Sequence, residues 1–246
     1  MKKAFTLLMM SIGVFAINAQ VIQTRLLEVS PADMDKFVAA ASKKTKMYNS
    51  KPDQPQYLTF EILSGKYANN FVRVQYGDSL AVFDDVDTVG NAYWQKTTGN
   101  LHTSTGNRIW GLVKSATHAP ETADYENLRR VIYYNFSDEG SDDFWRFRER
   151  VKKAMEASGY NHRMGVWWCA SGCDGNVVMV RFHHKDFAGQ AEDYGQPLAD
   201  MIAKYEEMYG EGSYEQDSDK VDASLLENGR KFRHYRFRPE MSSPRN

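Results

Sequence analysis

One order of elements runs through this chain twice: strand, helix, strand, tight turn, strand, helical region, strand. It starts near residue 20 and again near residue 127. The clearest echo is a hairpin. Residues 60–65 (FEILSG) and 70–76 (NFVRVQY) form it in the first half, residues 167–172 (WWCASG) and 176–182 (NVVMVRF) in the second. A repeated unit has an apolar face that it can bury only against its neighbour, so repetition constrains the architecture strongly. It leaves the chemistry open.

Residues 1–19 read as a secretory signal peptide: Lys2 and Lys3, an apolar run from Ala4 to Ile17, then a small-residue cleavage region before Gln20. That run is shorter than the ~20 residues of a membrane span. No later stretch is apolar enough to span. The expected product is exported, periplasmic or extracellular, with no membrane span. Lys plus Arg is 31 and Asp plus Glu 32, which lacks the basic surplus of a nucleic-acid binder. The only two cysteines, Cys169 and Cys173, flank the turn of the second hairpin. Export permits a disulfide between them. Two thiolates without nearby His partners are a poor metal site.

In the first unit, residues 20–118, a strand ends at Val29 and Ser30-Pro31 starts a helix with Met34, Phe37, Val38 and Ala41 at helical spacing. The hairpin follows, then a partly helical stretch to about Thr98. The Gly-, Thr- and Ser-rich stretch 99–106 reads as a loop and 108–115 as the closing strand. The second unit, residues 125–239, repeats this with a strand over 128–136, a helix carrying Phe144, Phe147 and Val151, the second hairpin, and a helical region over 187–209. Residues 210–222 read as a mobile loop, 231–237 as the last strand and 240–246 as a disordered tail. Two such units are two ferredoxin-like folds, an α+β class. With helices on one face of each antiparallel sheet, the free faces meet as an intramolecular barrel of about eight strands.

This order of elements resembles the dimeric α+β barrel superfamily in tandem form. That group holds the antibiotic-biosynthesis-monooxygenase-like, NIPSNAP-like and chlorite-dismutase-like families. The resemblance covers nearly all of the chain after the leader and is one of topology. It implies a place among cofactor-independent oxygenases, haem proteins, isomerases and proteins without known activity. Three classes of function stay open: a small-ligand binding protein, a cofactor-independent or haem-using enzyme of this barrel group (an oxygenase or isomerase), and an interaction module with a filled core. Fold alone does not choose among them.

Strand alternation nominates a site. Val72, Val74 and Tyr76, matched with Val178, Val180 and Phe182, form a uniformly apolar face expected under the helices. The opposite face carries Arg73 and Gln75 in the first unit and Arg181 and His183 in the second. These four are expected to line the space between the sheets, with an aromatic wall from Trp167 or Trp168 and from Tyr133 or Tyr134. Buried cations need partners or an anionic ligand, so the expected ligand is small, anionic and partly aromatic. The bland alternative is that these residues face solvent or pair with acids such as Glu61. His183 and His184 are adjacent in a strand and point to opposite faces, so they cannot chelate one ion. At most one of them could serve haem, and no metal site is expected. No catalytic nucleophile, phosphate-loop or dinucleotide motif is present.

Overall fold

The computed structural model describes residues 20–121 and 126–245. The leader expected over 1–19 and the first residue of the second unit lie outside the described residues. The strands are β1 (Val21–Val29), β2 (Tyr57–Ile62), β3 (Phe71–Gly77), β4 (His102–Leu112), β5 (Leu128–Phe136), β6 (Met164–Ser171), β7 (Asn176–His184) and β8 (Leu225–Phe237). The helices are α1 (Met34–Tyr48), α2 (Thr88–Thr98), α3 (Ser141–Ser158), α4 (Phe187–Asp193), α5 (Gln196–Tyr209) and α6 (Ser213–Ser224).

The eight strands close into one antiparallel barrel in the order β1-β3-β2-β8-β5-β7-β6-β4. Each half contributes the same local order, β4-β1-β3-β2 and β8-β5-β7-β6. Two short seams join the halves. Phe60, Glu61 and Ile62 pair with Phe237, Arg236 and Tyr235 at one, and β4 pairs with β6 from Ile109 to Leu112 at the other. Closure removes free sheet edges, which are the aggregation hazard of an open sheet.

Three cores follow from this arrangement. Inside the barrel lie Ile22, Phe60, Val74, Trp110, Val131, Trp167, Met179 and Tyr235. Trp110 is completely buried, and its indole N–H donates to Thr24 Oγ1 at 2.9 Å. Beneath α1 and α2, Phe37, Phe71 and Trp94 pack with Met241. Beneath α3, α5 and α6, Phe144, Phe147, Val178, Val180, Met201 and Tyr205 form the third core. Each large side chain buried this way stabilises the fold by about 1.5–3 kcal/mol.

Several local expectations change. The Gly- and Thr-rich stretch is strand: β4 begins at His102 and absorbs its glycine as a bulge, where the β1–β4 register shifts and Gly106 takes φ +65°. Residues 213–224 are helical, because Val221 packs into the third core and Asp217 is fixed by Tyr205, Arg146 and Arg150. The helical region over 187–209 is two helices, α5 starting at Gln196-Pro197. The tail is packed: Met241 is fully buried, and Ser242 and Ser243 accept from the backbone N–H groups of Thr59 and Tyr57. Cys169 and Cys173 form a disulfide with a Cα–Cα distance of 6.3 Å.

Candidate functional site

The middle of the lumen is filled by Trp110, Tyr133, Met179 and Tyr235, and the Tyr133 and Tyr235 hydroxyls meet at 3.0 Å. At one end, beside the joint between the halves, the lumen holds a cavity of about 160 Å³. Ile22, Leu58, Phe60, Val74, Leu112 and Trp167 supply an apolar wall. Arg129, Arg163, Arg181, Arg245, His118 and His183 supply most of the rest.

β5 and β7 explain this cluster. They pair so that Arg129 lies opposite His183 and Val131 opposite Arg181, and alternation turns all four inward. The Arg181 guanidinium stacks 4.9 Å from the Trp167 ring centroid, and its Nε has no hydrogen-bond partner. Burial pushes Arg181 down to about 10, against the opposing pull of Tyr133 and Tyr235. Arg129 donates to the carbonyls of Leu128 at 3.0 Å and of Glu126. Burial pushes it far below the usual guanidinium range, and Arg181 and Arg245 push it the same way. His183 is 7 % exposed, and its Nδ1 is unpartnered. Burial, together with Arg129, Arg181 and Arg163, drives its imidazole well below the ordinary value, so it is neutral at pH 7. The acid that acts on Arg129, Glu126, is held 3.2 Å from His162. Among the described residues no carboxylate pairs with Arg181.

Of the residues nominated from sequence, Arg181, His183 and Trp167 come together here. Arg73, Gln75 and Trp168 do not. Arg73 and Gln75 belong to the helix-facing side of β3, while Val72 and Val74 face the lumen. The reason is register. Phe60 corresponds to Trp167 and pairs with Val72, while Trp167 pairs with Met179. Val72 therefore corresponds to Met179. Matching Asn70 with Asn176 instead slips the strand by one residue, and one residue reverses every side chain. Arg73, 1 % exposed, sits beneath α1 and donates to Thr59 Oγ1 at 3.1 Å, Met241 O at 3.2 Å and Thr45 Oγ1 at 3.2 Å. Trp168 lies on the outer surface, 47 % exposed, against Gly111, where a Cβ would collide with its indole.

Sequence reasoning missed Arg129, Arg163, Arg245 and His118. Arg129 was legible, because it alternates with Val131 and Tyr133 on β5. Arg163 precedes β6, His118 lies in the joint, and Arg245 is brought in only by the packed tail.

A second cavity, about 390 Å³, lies between the outer face of β5, β7 and β8 and helices α3, α5 and α6. It bears on haem, which takes a His, Cys, Met or Tyr ligand. The lumen cavity has two imidazoles, but its volume is on the scale of the ~150 Å³ that holds one benzene ring. The helix-covered cavity has no His or Cys on its wall. Its Met155 and Met201 offer thioethers, which serve beside a His rather than alone. Burial pushes Tyr160, Tyr194 and Tyr214 upward, so they remain neutral phenols. His184 is oriented through Nδ1 by Asp193, as metal-binding imidazoles often are, yet it lines neither cavity. The residues present do not fit haem. Among the described residues no cluster of three His, Cys, Asp or Glu side chains could hold a metal ion, and no helix is long and apolar enough to cross a membrane.

No family model matches the chain, and no curated protein does. Solved structures do match. A candidate monooxygenase of Lactobacillus acidophilus superposes with a TM-score of 0.59 at 8% identity, over 89% of this chain and 94% of its own. A candidate monooxygenase of Fusobacterium nucleatum gives 0.58 at 10% identity over 89% and 92%. Chlorite dismutase from Candidatus Nitrospira defluvii, in its complex with imidazole, gives 0.53 at 9% identity over 91% and 93%. The chain has the dimeric α+β barrel fold. Identities this low show that fold and nothing finer.

Proposed function

We propose that the protein binds a small, single-ring organic anion in the lumen cavity. The observation that carries this reading is a cavity the size of one ring whose wall combines Trp167 and Phe60 with the buried guanidinium groups of Arg129 and Arg181, Arg181 having no carboxylate partner among the described residues. Burying cations without counter-charge is costly, and a ligand carboxylate would relieve that cost while its ring covers the apolar wall. Neutral His183 offers its Nδ1 as a hydrogen-bond acceptor or, in the other tautomer, a donor. We also read the chain as exported and as two fused copies of one ferredoxin-like unit. The sequence of the leader and the Cys169–Cys173 disulfide support the first, and the matching strand order of the halves supports the second.

The test is isothermal titration with benzoate against benzyl alcohol, its neutral counterpart. Benzoate binds one to one, and Arg181→Met weakens it by about tenfold or more, the scale of a lost charge-assisted hydrogen bond. Equal binding of both molecules refutes the anion reading.

A second reading is an oxygenase acting without cofactor, favoured by the monooxygenase candidates among the similar structures. His183 would then take a proton from a bound phenol. Its depressed basicity argues against that role, because Arg129, Arg181 and Arg163 all oppose the imidazolium. Oxygen uptake with a simple hydroquinone, lost in His183→Gln, would reverse the preference.

A further inference from the structure

The helix-covered cavity of the second half lies beyond the lumen reading and shares none of its residues. β5 and β7 alternate, so Arg129, Arg181 and His183 feed the lumen while Arg130, Tyr134 and Phe182 feed the other side. At about 390 Å³ this second cavity is more than twice the volume of the first. Its wall is aromatic, with Tyr134, Phe147, Tyr160 and Tyr214 inside, and Tyr194 and Phe232 at 45% and 49% exposure.

One charged group in it is unexplained. Arg148, on α3, is 6% exposed. Its guanidinium lies 4.5 Å from the Phe147 ring centroid and 5.3 Å from that of Tyr134, and its Nε has no hydrogen-bond partner. No carboxylate is within ion-pair reach among the described residues. The acids nearby are already engaged: Asp193 by His162 and His184, Asp217 by Arg146, Arg150 and Tyr205. Ring faces attract a cation but supply none of the acceptors that a buried guanidinium needs. Arg130 and Arg230 add positive charge to the wall, Arg230 being paired with Asp222.

We propose that this cavity is a second ligand site, selective for an organic carboxylate with a fused aromatic body of two or more rings. The carboxylate is held by Arg148 and the body lies among the tyrosines and phenylalanines. The aromatic walls favour stacking over an alkyl chain, and the larger volume suits two fused rings where the lumen suits one.

The experiment is calorimetric titration of the full chain with 2-naphthoate, with 2-naphthalenemethanol as the neutral control. Naphthoate binds and the alcohol binds at least about tenfold more weakly. Arg148→Met lowers naphthoate affinity by a similar factor. Met201→Trp, which fills the cavity, abolishes it. Both variants leave benzoate titration unchanged, and Arg181→Met leaves naphthoate unchanged, so the two sites fail or stand separately. Removing an unpaired buried charge should not unfold the chain; an unchanged or higher Tm for Arg148→Met confirms that its loss of binding is local. Naphthoate binding that persists in Arg148→Met, or the absence of binding, overturns the proposal. So does a Soret band on addition of haemin that Met201→Trp abolishes, since that would make the cavity a haem site.

Discussion

The two halves of the barrel bury the same kind of residue to different ends. Beneath the helices of the first half, Arg73 is closed in by its own chain, with Thr45, Thr59 and the Met241 carbonyl accepting its protons and Tyr57 and Trp94 at 4.6 and 4.8 Å. Burial and Arg25 push it down to about 9, which still leaves it charged at pH 7. Beneath the helices of the second half, Arg148 has rings on its faces and lines an open cavity. The Arg73 Nε has no partner, but both terminal nitrogens donate within the chain, and a cation held that way is part of the scaffold. One that faces space is a place for something else.

The contrast can be broken most decisively at the tail. Truncation after Pro239 removes the fully buried Met241 and the serines that cap β2. It should cost about 3–5 kcal/mol in urea unfolding, from lost burial and orphaned hydrogen bonds. A loss under about 1 kcal/mol would mean that the tail does not seal the first half. Next in size, Arg73→Met removes three hydrogen bonds, to Thr59, Met241 and Thr45, and should cost about 2–3 kcal/mol, whereas Arg148→Met should cost nothing. Equal losses at both positions would erase the distinction. Smaller again is the disulfide, which only the second half has. It closes a loop of sequence separation 4, so replacing Cys169 and Cys173 with Ser should cost at most about 2 kcal/mol by chain entropy.

The smallest effect sharpens the lumen side of the comparison. Burial, with Arg129 and Arg181, holds His183 well below its unfolded value, and burial likewise lowers His118. In acid the unfolded chain therefore takes up protons before the folded one. Stability should fall as pH drops through about 6.5 toward the folded values, and His183→Gln should flatten part of that slope. An unfolding midpoint that stays constant from neutral pH to about 5 would contradict the burial of these imidazoles.

Much of this was legible in the sequence, because the signals were local. Ser30-Pro31 opens the first helix and Gly159, at φ +70°, ends the third, and alternation along β7 placed Arg181 and His183 correctly. What failed was long-range. Cross-strand pairing matches Phe60–Val72 with Trp167–Met179, so Asn70 and Asn176, which look alike in the two sequences, sit one residue out of step. That slip put Arg73 on the wrong face. The glycine-rich start of β4 is held in the sheet by β1, and α6 is held by Tyr205 and the Arg146–Asp217–Arg150 network. Neither partner is visible within the segment itself. The cationic mouth of the lumen is the clearest case, since it assembles from two strands, two loops and the tail.

The central claim is that the lumen cavity is an anion site built by Arg129 and Arg181. Titrating the full chain with benzoate, and in parallel its Arg181→Met and Arg148→Met variants, tests it most directly. The account predicts one-to-one binding that Arg181→Met weakens by about tenfold or more and Arg148→Met leaves intact. Binding that is absent, or that survives Arg181→Met unchanged, would contradict it.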